Sequence, residues 1–164
     1  MANHIDALGG VMKPTGVTVV VSIQGDICRY TLSFDGEAYY PSYLFSTIDY
    51  TYSEFCDRAL ATLRQTILQE LRHPNFRVDA ICVMVAGSVE NERVRATTSY
   101  TLKCLIGQPV AEDFSIEFES PAALIGREEA KRMGEEGDPA LTIFRDDRAL
   151  AGAYTLARQL ASAS

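Results

Sequence analysis

The sequence lacks several features that would assign it to a common functional class. It has no run of 18 apolar residues, so no segment is predicted to cross a membrane. Its first 16 residues have neither a basic start nor a long apolar block, which argues against a secretory signal. Its 15 basic residues are outnumbered by 22 acidic ones and form no local cluster, so nucleic-acid binding is disfavoured. We therefore expect a cytoplasmic protein.

The sequence also has few histidines and no closely spaced pair of cysteines, so it offers few side chains for a metal site or a redox site. The two histidines, His4 and His73, are far apart, and no spacing matches a zinc or calcium site. We therefore predict no metal and no cofactor. The cysteines stand singly in apolar surroundings without a C-x-x-C pair, so we expect buried free thiols. They are Cys28, Cys56, Cys82 and Cys104.

The length of 164 residues suits one domain with a sizeable core. We expect a flexible leader over residues 1–15 and a single α/β domain over residues 16–164. Val17–Ile23 is a nearly continuous β-branched run, typical of a strand buried on both faces, and Ile27–Phe34 is predicted as a second strand. A hairpin at Asp35-Gly36 leads to a third strand near residues 37–45, which Pro41 should interrupt or place at an edge.

The middle of the chain predicts a long helix and a buried strand. Apolar residues recur at every fourth position of Tyr52–Arg72, which indicates an amphipathic helix that Ser53 can cap. His73-Pro74 ends this helix, and Val78–Val85 is the next strand. Tyr100–Ile106 is predicted as a short helix.

The last third predicts one further strand and two helices. Phe114–Phe118 is interpreted as a short apolar strand that ends at Glu119. Pro121 then suits the first turn of a helix that runs to about Met133. The Ala- and Leu-rich segment 147–161 is predicted to be helical, with a possible strand before it at 141–144.

The predicted order of elements is β-β-β-α-β-α-β-α. Strands that alternate with helices imply a parallel portion of the sheet with right-handed crossovers. This is the order of a ribonuclease H-like domain, the mixed-sheet unit from which actin, hexokinases and sugar kinases are built.

Three segments carry a resemblance to a known family. VVVSIQGDICRYTLSFDGE follows the pattern of a first strand, a D-x-G-G-T phosphate loop and a hairpin, with Ser22–Asp26 at the loop. Ala86–Val94 follows a G-x-V pattern, and Phe118–Gly126 follows an N-D-A-N-A-A-A-L-G-E pattern. Over residues 17–130 the chain thus resembles the N-terminal lobe of the repressor–kinase (ROK) family of glucokinases and related sugar kinases. The resemblance implies the ribonuclease H-like fold and puts Glu119 at the catalytic Asp position.

The residues that such a kinase requires are mostly changed. Ser22 replaces the first Asp, Gln24 replaces a Gly, and Phe118 stands where the family has an Asn that helps to hold the sugar. In this fold the nucleotide sits between two lobes, and we expect no room for a second lobe in a chain that ends at Ser164. Phosphoryl transfer needs those parts together. The resemblance therefore implies a kinase-like lobe without kinase activity.

Two carboxylates are candidate catalytic residues. Glu119, beside Phe118 and Pro121, would gain base strength from apolar surroundings, or it is a helix N-terminal carboxylate stabilised by the helix dipole. Asp26 is either an acid that faces a ligand or an ordinary turn residue beside Gly25.

Polar groups in two loops are candidate ligand-binding residues. Gln24 and Gly25 could hold an anion, and a polar loop resembles one that lines a sugar site, although simple exposure explains that loop equally well. The loop residues are Thr97, Thr98 and Ser99. A dense tyrosine group near the third strand suits packing, or contact with a protein or an apolar ligand. Its members are Tyr39, Tyr40, Tyr43, Tyr50 and Tyr52.

The sequence favours two functions over a third, a truncated sugar kinase that works with a separately encoded second lobe, and it leaves open whether the chain is an enzyme. The first is a non-catalytic, kinase-like module, a pseudoenzyme that binds a small-molecule ligand or a protein partner, with a homodimer expected. The second is a small cofactor-independent acid–base enzyme, such as an isomerase, cyclase or dehydratase, that uses Glu119 in a reused cleft.

Overall fold

A computed structural model describes residues 15–25, 27–34, 37–39, 41–44, 50–72, 75–97, 99–136 and 147–163. Its strands are β1 (Thr15–Gln24), β2 (Ile27–Phe34), β3 (Glu37–Tyr39), β4 (Ser42–Leu44), β5 (Phe76–Val85), β6 (Ser88–Glu90), β7 (Arg93–Ala96) and β8 (Ala122–Gly126). Its α-helices are α1 (Tyr52–Leu71), α2 (Val110–Phe118), α3 (Arg127–Glu136) and α4 (Arg148–Ala163). A 3₁₀ helix spans Tyr100–Leu105. No described helix is both long and apolar enough to cross a membrane.

The main sheet has the order β3-β2-β1-β5-β8, with β4 also paired to β2. β1 is antiparallel to β2 and parallel to β5, and β5 is parallel to β8. The predicted ribonuclease H-like mixed sheet flanked by helices is therefore confirmed. Gly25 makes the tight turn between β1 and β2 with a φ of 59°, a conformation that favours glycine.

Helices cover both faces of this sheet. Alternate residues of β1 and β5 point to opposite faces, which divides the buried residues into two clusters. One cluster packs against α1, the 3₁₀ helix and α2, and contains Phe55, Leu63 and Phe114. We call this side the large-residue face. The other packs against α3 and α4 mainly through alanines, and we call it the small-residue face; its alanines are Ala80, Ala130, Ala149, Ala151, Ala153 and Ala157.

The first half of the chain follows the sequence predictions closely. Pro41 separates β3 from β4, and its carbonyl oxygen accepts a hydrogen bond from the Tyr30 amide at 3.1 Å, so the predicted interruption is confirmed. Helix α1 has the predicted extent but a different cap. The Thr51 hydroxyl accepts from the Glu54 amide at 3.1 Å, and the Glu54 carboxylate accepts from the Thr51 amide at 2.9 Å. This capping box makes Thr51, not Ser53, the residue before the helix.

The prediction for residues 114–121 is wrong. Phe114–Phe118 belongs to helix α2, and the strand lies after it, in β8. Val110, Phe114 and Phe118 are buried four residues apart, whereas Ile116 is 68% exposed. A helix buries that spacing on one face, while a strand would bury residues two apart. Pro121 consequently precedes a strand rather than opening a helix.

The end of the chain agrees with prediction where it is described. Helix α4 begins at Arg148, one residue later than predicted, and continues past the predicted end at 161 to Ala163. The possible strand at 141–144, the His73-Pro74 pair and residues 1–14 of the predicted leader lie outside the described residues. Thr15, the last residue assigned to the leader, is the first residue of β1.

Candidate functional site

The parallel strands β1, β5 and β8 bring three chain segments to one edge of the sheet. Their last residues are Gln24, Val85 and Gly126, so the turn at Gly25 and the start of α3 meet there. We call this the carboxyl edge. Ligands in open α/β sheets bind beyond the carboxyl ends of the strands.

A cavity of about 460 Å³ opens at this edge on the small-residue face. We call it the carboxyl-edge cavity; its lining residues are Ser22, Gln24, Ile27, Arg29, Thr31, Met84, Arg127, Asp147 and Leu150. Ser22 pairs with Arg29 across the β1–β2 ladder. Residues two apart along a strand share a face, so Ser22 and Gln24 reach the same cavity as Arg29 and Thr31.

Two helices begin at this cavity. Arg127 is the first residue of α3, and Asp147 directly precedes α4. The Asp147 carboxylate accepts a hydrogen bond from the Leu150 amide at 2.9 Å, and the Asp147 carbonyl accepts from the Ala151 amide at 3.0 Å. Asp147 is therefore the N-cap of α4, and one of its two carboxylate oxygens is already hydrogen-bonded to that helix.

Among the described residues that line the cavity, positive charges outnumber negative ones. Arg29 and Arg127 contribute two guanidinium groups, and Asp147 contributes one carboxylate. No carboxylate of a described residue forms an ion pair with either arginine. Helix N-termini add partial positive charge, although Asp147 offsets part of it at α4. Such a lining can accept an anionic group through charge-assisted hydrogen bonds.

A second cavity, of about 650 Å³, lies between the β6–β7 hairpin and α3. Two glycines allow the chain segments around it to approach closely. A Cβ atom on Gly87 would lie 2.5 Å from the Ala96 carbonyl oxygen, and one on Gly126 would lie 2.6 Å from the Gly87 carbonyl oxygen. Arg127 also lines this cavity, so its side chain stands between the two.

The predicted ligand-binding residues have different positions. Gln24 lines the carboxyl-edge cavity, and Gly25 forms the adjoining turn. Thr97 lines the second cavity, where its hydroxyl donates to the Ala86 carbonyl at 2.7 Å and accepts from the Ser99 amide at 3.1 Å. These two hydrogen bonds give the Thr97 hydroxyl a structural role that requires no ligand. Ser99 precedes the 3₁₀ helix, and Asp26 and Thr98 lie outside the described residues.

The structure does not bring Glu119 into this site. Glu119 is the exposed C-cap of α2, with φ 51° and ψ 45°, and it precedes β8 instead of following a strand. It thus lies at the amino end of the parallel strands, roughly 15 Å from the carboxyl edge for a five-residue strand. Both sequence interpretations of Glu119, as a strand-end base and as a helix N-terminal carboxylate, placed it on the wrong element. The strand-to-helix junction that the resemblance requires is at Gly126–Arg127.

Three charged residues of the carboxyl-edge cavity were not predicted from the sequence. Arg127 would follow directly from a correct assignment of β8. Asp147 was a recognisable cap, because it precedes an Ala- and Leu-rich helix. No sequence pattern marks Arg29 as a residue of the site, because only the pairing of β1 with β2 places it beside Ser22.

The four cysteines are free, as predicted. Burial raises the pKa of the Cys28 thiol, and likewise that of Cys82, to about 12. No group of three or more metal-binding side chains occurs among the residues that the structure describes. In the tyrosine group, Tyr50 and Tyr52 pack against the large-residue face, and the Tyr52 hydroxyl donates to Asp113 of α2 at 2.6 Å.

Comparison with known proteins gives structural matches only. No protein-family model matches the chain, and no curated protein sequence matches it. A ROK-family transcriptional regulator, a homologue of the E. coli MLC protein, superposes with a TM-score of 0.60 and 15% identity over 77% of this chain and 32% of its own. A Streptococcus pneumoniae ROK-family protein, solved in complex with sucrose, gives a TM-score of 0.51 and 18% identity over 73% of this chain and 37% of its own.

An enzyme gives a match of similar quality. The inorganic polyphosphate/ATP-glucomannokinase of Arthrobacter sp. strain KM has a TM-score of 0.52 and 12% identity over 72% of this chain and 47% of its own. The chain therefore spans less than half the length of each of these proteins. Their shared fold is that of a ROK-type lobe, so the fold suggested by the sequence resemblance is confirmed.

Proposed function

We propose that the chain is a non-catalytic ligand-binding module whose carboxyl-edge cavity takes a small organic molecule bearing an anionic group. The observation that carries this proposal is the pair of arginines, Arg29 and Arg127, that line one cavity without an ion-pair partner among the described residues. Guanidinium groups donate to carboxylate and phosphate oxygens in a fixed planar geometry. Ile27, Met84 and Leu150 provide apolar wall for the body of the ligand.

The same cavity argues against phosphoryl transfer. Ser22, at the position where the family has its first Asp, lines the cavity, so the change falls within the site. Among the described lining residues Asp147 is the only carboxylate, and one of its oxygens already caps α4. A phosphoryl-transfer site needs a residue that orients the nucleophile together with groups that hold metal and phosphate. Of these groups, the described lining residues supply only the contacts to the anion.

Calorimetric titration with three related compounds tests the proposal. Glucose, glucose 6-phosphate and glucuronate share the six-membered sugar ring and differ mainly in the anionic group, so we expect saturable binding of the two anions and none of glucose. Replacing a charged hydrogen-bond donor costs roughly 1.5–3 kcal/mol, so Arg29→Gln and Arg127→Gln should each weaken binding by at least about tenfold.

Lys131→Gln is the matched control. It removes one positive charge from an exposed position of α3 that lines neither cavity, and binding should stay within about twofold of wild type. Equal affinity for glucose and glucose 6-phosphate would contradict the proposal, as would ATP consumption by the purified chain in the presence of a sugar.

The acid–base enzyme has less support than the binding module. Its proposed base, Glu119, is exposed and lies at the other end of the sheet from Gln24. A general base must come within hydrogen-bond reach of the proton that it removes. Any isomerase, cyclase or dehydratase activity that disappears in Glu119→Gln would restore this alternative.

A homodimer remains a proposal, and it rests on a different observation. Ile116 is 68% exposed on α2, the highest exposure among the large apolar side chains that the structure describes. A contact with a second copy would remove this apolar surface from water, which is favourable. Sedimentation at 10–100 µM should show a dimer that Ile116→Asp dissociates, and a strict monomer would end this proposal.

The four free thiols also fit the proposed reducing, intracellular location.

A further inference from the structure

The carboxyl-edge cavity is lined by a carboxylate as well as by its two arginines. The charged lining residues are Arg29 of β2, Arg127 of α3 and Asp147 at the start of α4. Arg29 is exposed and the other two are partly buried, so a ligand in the cavity can reach all three side chains. The other described lining residues are uncharged, so these three groups set the electrostatics of the cavity.

The Asp147 carboxylate has one oxygen that is available to a ligand. Its Oδ1 accepts the capping hydrogen bond from the Leu150 amide. Its other oxygen has no hydrogen-bond partner among the described residues, and the carboxylate forms no ion pair with Arg29 or Arg127. An ionised carboxylate accepts hydrogen bonds and donates none, whereas a guanidinium group only donates. The cavity therefore offers one free acceptor in addition to its guanidinium donors.

This combination restricts the anionic groups that fit. A group that contacts both arginines and Asp147 must accept hydrogen bonds from the guanidinium groups and donate one to the carboxylate. A singly protonated phosphomonoester does both, because its P–O–H hydroxyl donates while its other oxygens accept. A sulfate ester has no such proton, so it would set a negative oxygen against the Asp147 carboxylate, and the two would repel each other.

We propose that the carboxyl-edge cavity selects a singly protonated phosphomonoester, whose P–O–H group donates to Asp147 while Arg29 and Arg127 hold the other phosphate oxygens. This inference rests on the proposed anion-binding function and specifies the class of anion. Guanidinium groups donate to any oxyanion. Asp147 is therefore the residue that determines specificity for the phosphate.

Calorimetric titration with glucose 6-phosphate and glucose 6-sulfate at pH 5 tests the proposal. The second ionisation of a phosphomonoester has a pKa of about 6, so both esters are mainly monoanions at pH 5 and differ by one proton. We expect glucose 6-phosphate to bind at least about tenfold more tightly, because only it can donate to the carboxylate. Its affinity should fall by about tenfold per pH unit above pH 6 as that proton is lost, while the affinity for glucose 6-sulfate should not follow this profile.

Replacement of Asp147 by asparagine tests the role of the free oxygen. Asparagine caps helices as well as aspartate does, so its side-chain oxygen should keep the bond to the Leu150 amide. Its NH₂ group then takes the place of the free oxygen, and an acceptor becomes a donor. In Asp147→Asn the preference for glucose 6-phosphate at pH 5 should fall below about twofold. A melting temperature close to that of wild type would show that the cap is kept.

Two further variants separate this preference from general electrostatics. Asp57→Asn removes one carboxylate from an exposed position of α1 outside the cavity, and it should keep the full preference. Arg127→Gln should weaken both esters by a similar factor and leave their ratio within about twofold of wild type, because it removes a contact that both anions make.

The outcomes distinguish this proposal from the function on which it rests. Equal binding of the two esters by the wild-type chain would overturn the role of Asp147 and leave the anion-binding function in place. A preference that survives in Asp147→Asn would do the same. If neither ester binds, both proposals fail. The wild-type comparison decides the matter even if Asp147→Asn does not fold.

Discussion

The two faces of the central sheet are packed in opposite ways. The large-residue face buries bulky side chains such as Phe55 and Phe114 between the sheet and its helices. On the small-residue face α3 and α4 approach so closely that a Cβ atom on Gly152 would lie 1.8 Å from the Ala130 carbonyl oxygen. The stability of the large-residue face therefore depends on bulky side chains that fill the core, whereas that of the small-residue face depends on the close approach of two helix backbones.

This difference also explains where the carboxyl-edge cavity lies. The carboxyl-edge cavity opens on the small-residue face, where Ser22 and Thr31 leave room that larger side chains would fill. The corresponding end of the large-residue face is occupied by Ile23 and Val85 of the core cluster. Space for a ligand thus arises on the side with the shorter side chains.

Truncation on the large-residue face should have the largest effect. Phe114 is fully buried, so Phe114→Ala should lower the free energy of unfolding by about 3–5 kcal/mol. Ile116→Ala, two residues away on the exposed side of α2, should change it by less than about 0.5 kcal/mol. Urea unfolding measures both. Similar losses in the two variants would contradict the helical assignment of residues 110–118.

A larger side chain on the small-residue face should have the second-largest effect on the free energy of unfolding. Gly152→Ala would gain about 1 kcal/mol of helix propensity at an open position. Between α3 and α4 we expect a net loss of about 1–3 kcal/mol, because the new methyl group meets the Ala130 carbonyl. Gln159→Ala, at an exposed position of α4, should lie within about 0.5 kcal/mol of wild type. A stabilised Gly152→Ala would show that the two helices are not in close contact.

Alkaline pH should destabilise both faces, since each contains a fully buried thiol whose pKa is raised to about 12. Cys28 lies in the large-residue cluster and Cys82 in the small-residue cluster, and burial raises both pKa values from 9.0 to about 12. Above pH 9 the unfolded chain releases these protons before the folded chain does. The free energy of unfolding should therefore fall between pH 9 and 12, by about 1.4 kcal/mol per pH unit for each thiol.

Single and double alanine variants of Cys28 and Cys82 separate the two contributions. In urea unfolding, each substitution should make the free energy of unfolding fall less steeply with pH above pH 9. A double variant with the wild-type pH dependence would show that neither thiol is responsible.

Removal of the α1 cap should have the smallest effect. Thr51→Ala breaks the capping box and should cost about 1 kcal/mol in urea unfolding. Ser53→Ala, at an exposed position inside the helix, should cost less than about 0.5 kcal/mol. A larger loss from Ser53→Ala would return the cap to the residue that sequence analysis chose.

Sequence prediction succeeded where one periodicity dominates. The β-branched run of β1, the fourfold spacing of α1 and the alanine-rich α4 each permit one secondary structure. Phe114–Phe118 has apolar residues both two and four positions apart, and only the burial of Phe114 and Phe118 with exposure of Ile116 distinguishes a helix from a strand. That single ambiguity displaced the next strand and with it the predicted position of Glu119.

Local patterns and turn chemistry were enough to predict the order of most elements and the turn at Gly25 that follows β1. They did not predict that Arg29, Arg127 and Asp147 line one cavity, or that Asp79, Glu119 and Ser120 line a groove at the other edge. Those groupings arise from strand pairing and helix packing between distant segments, which no local pattern records. The chemistry of the candidate site therefore depends on contacts that form when the chain folds.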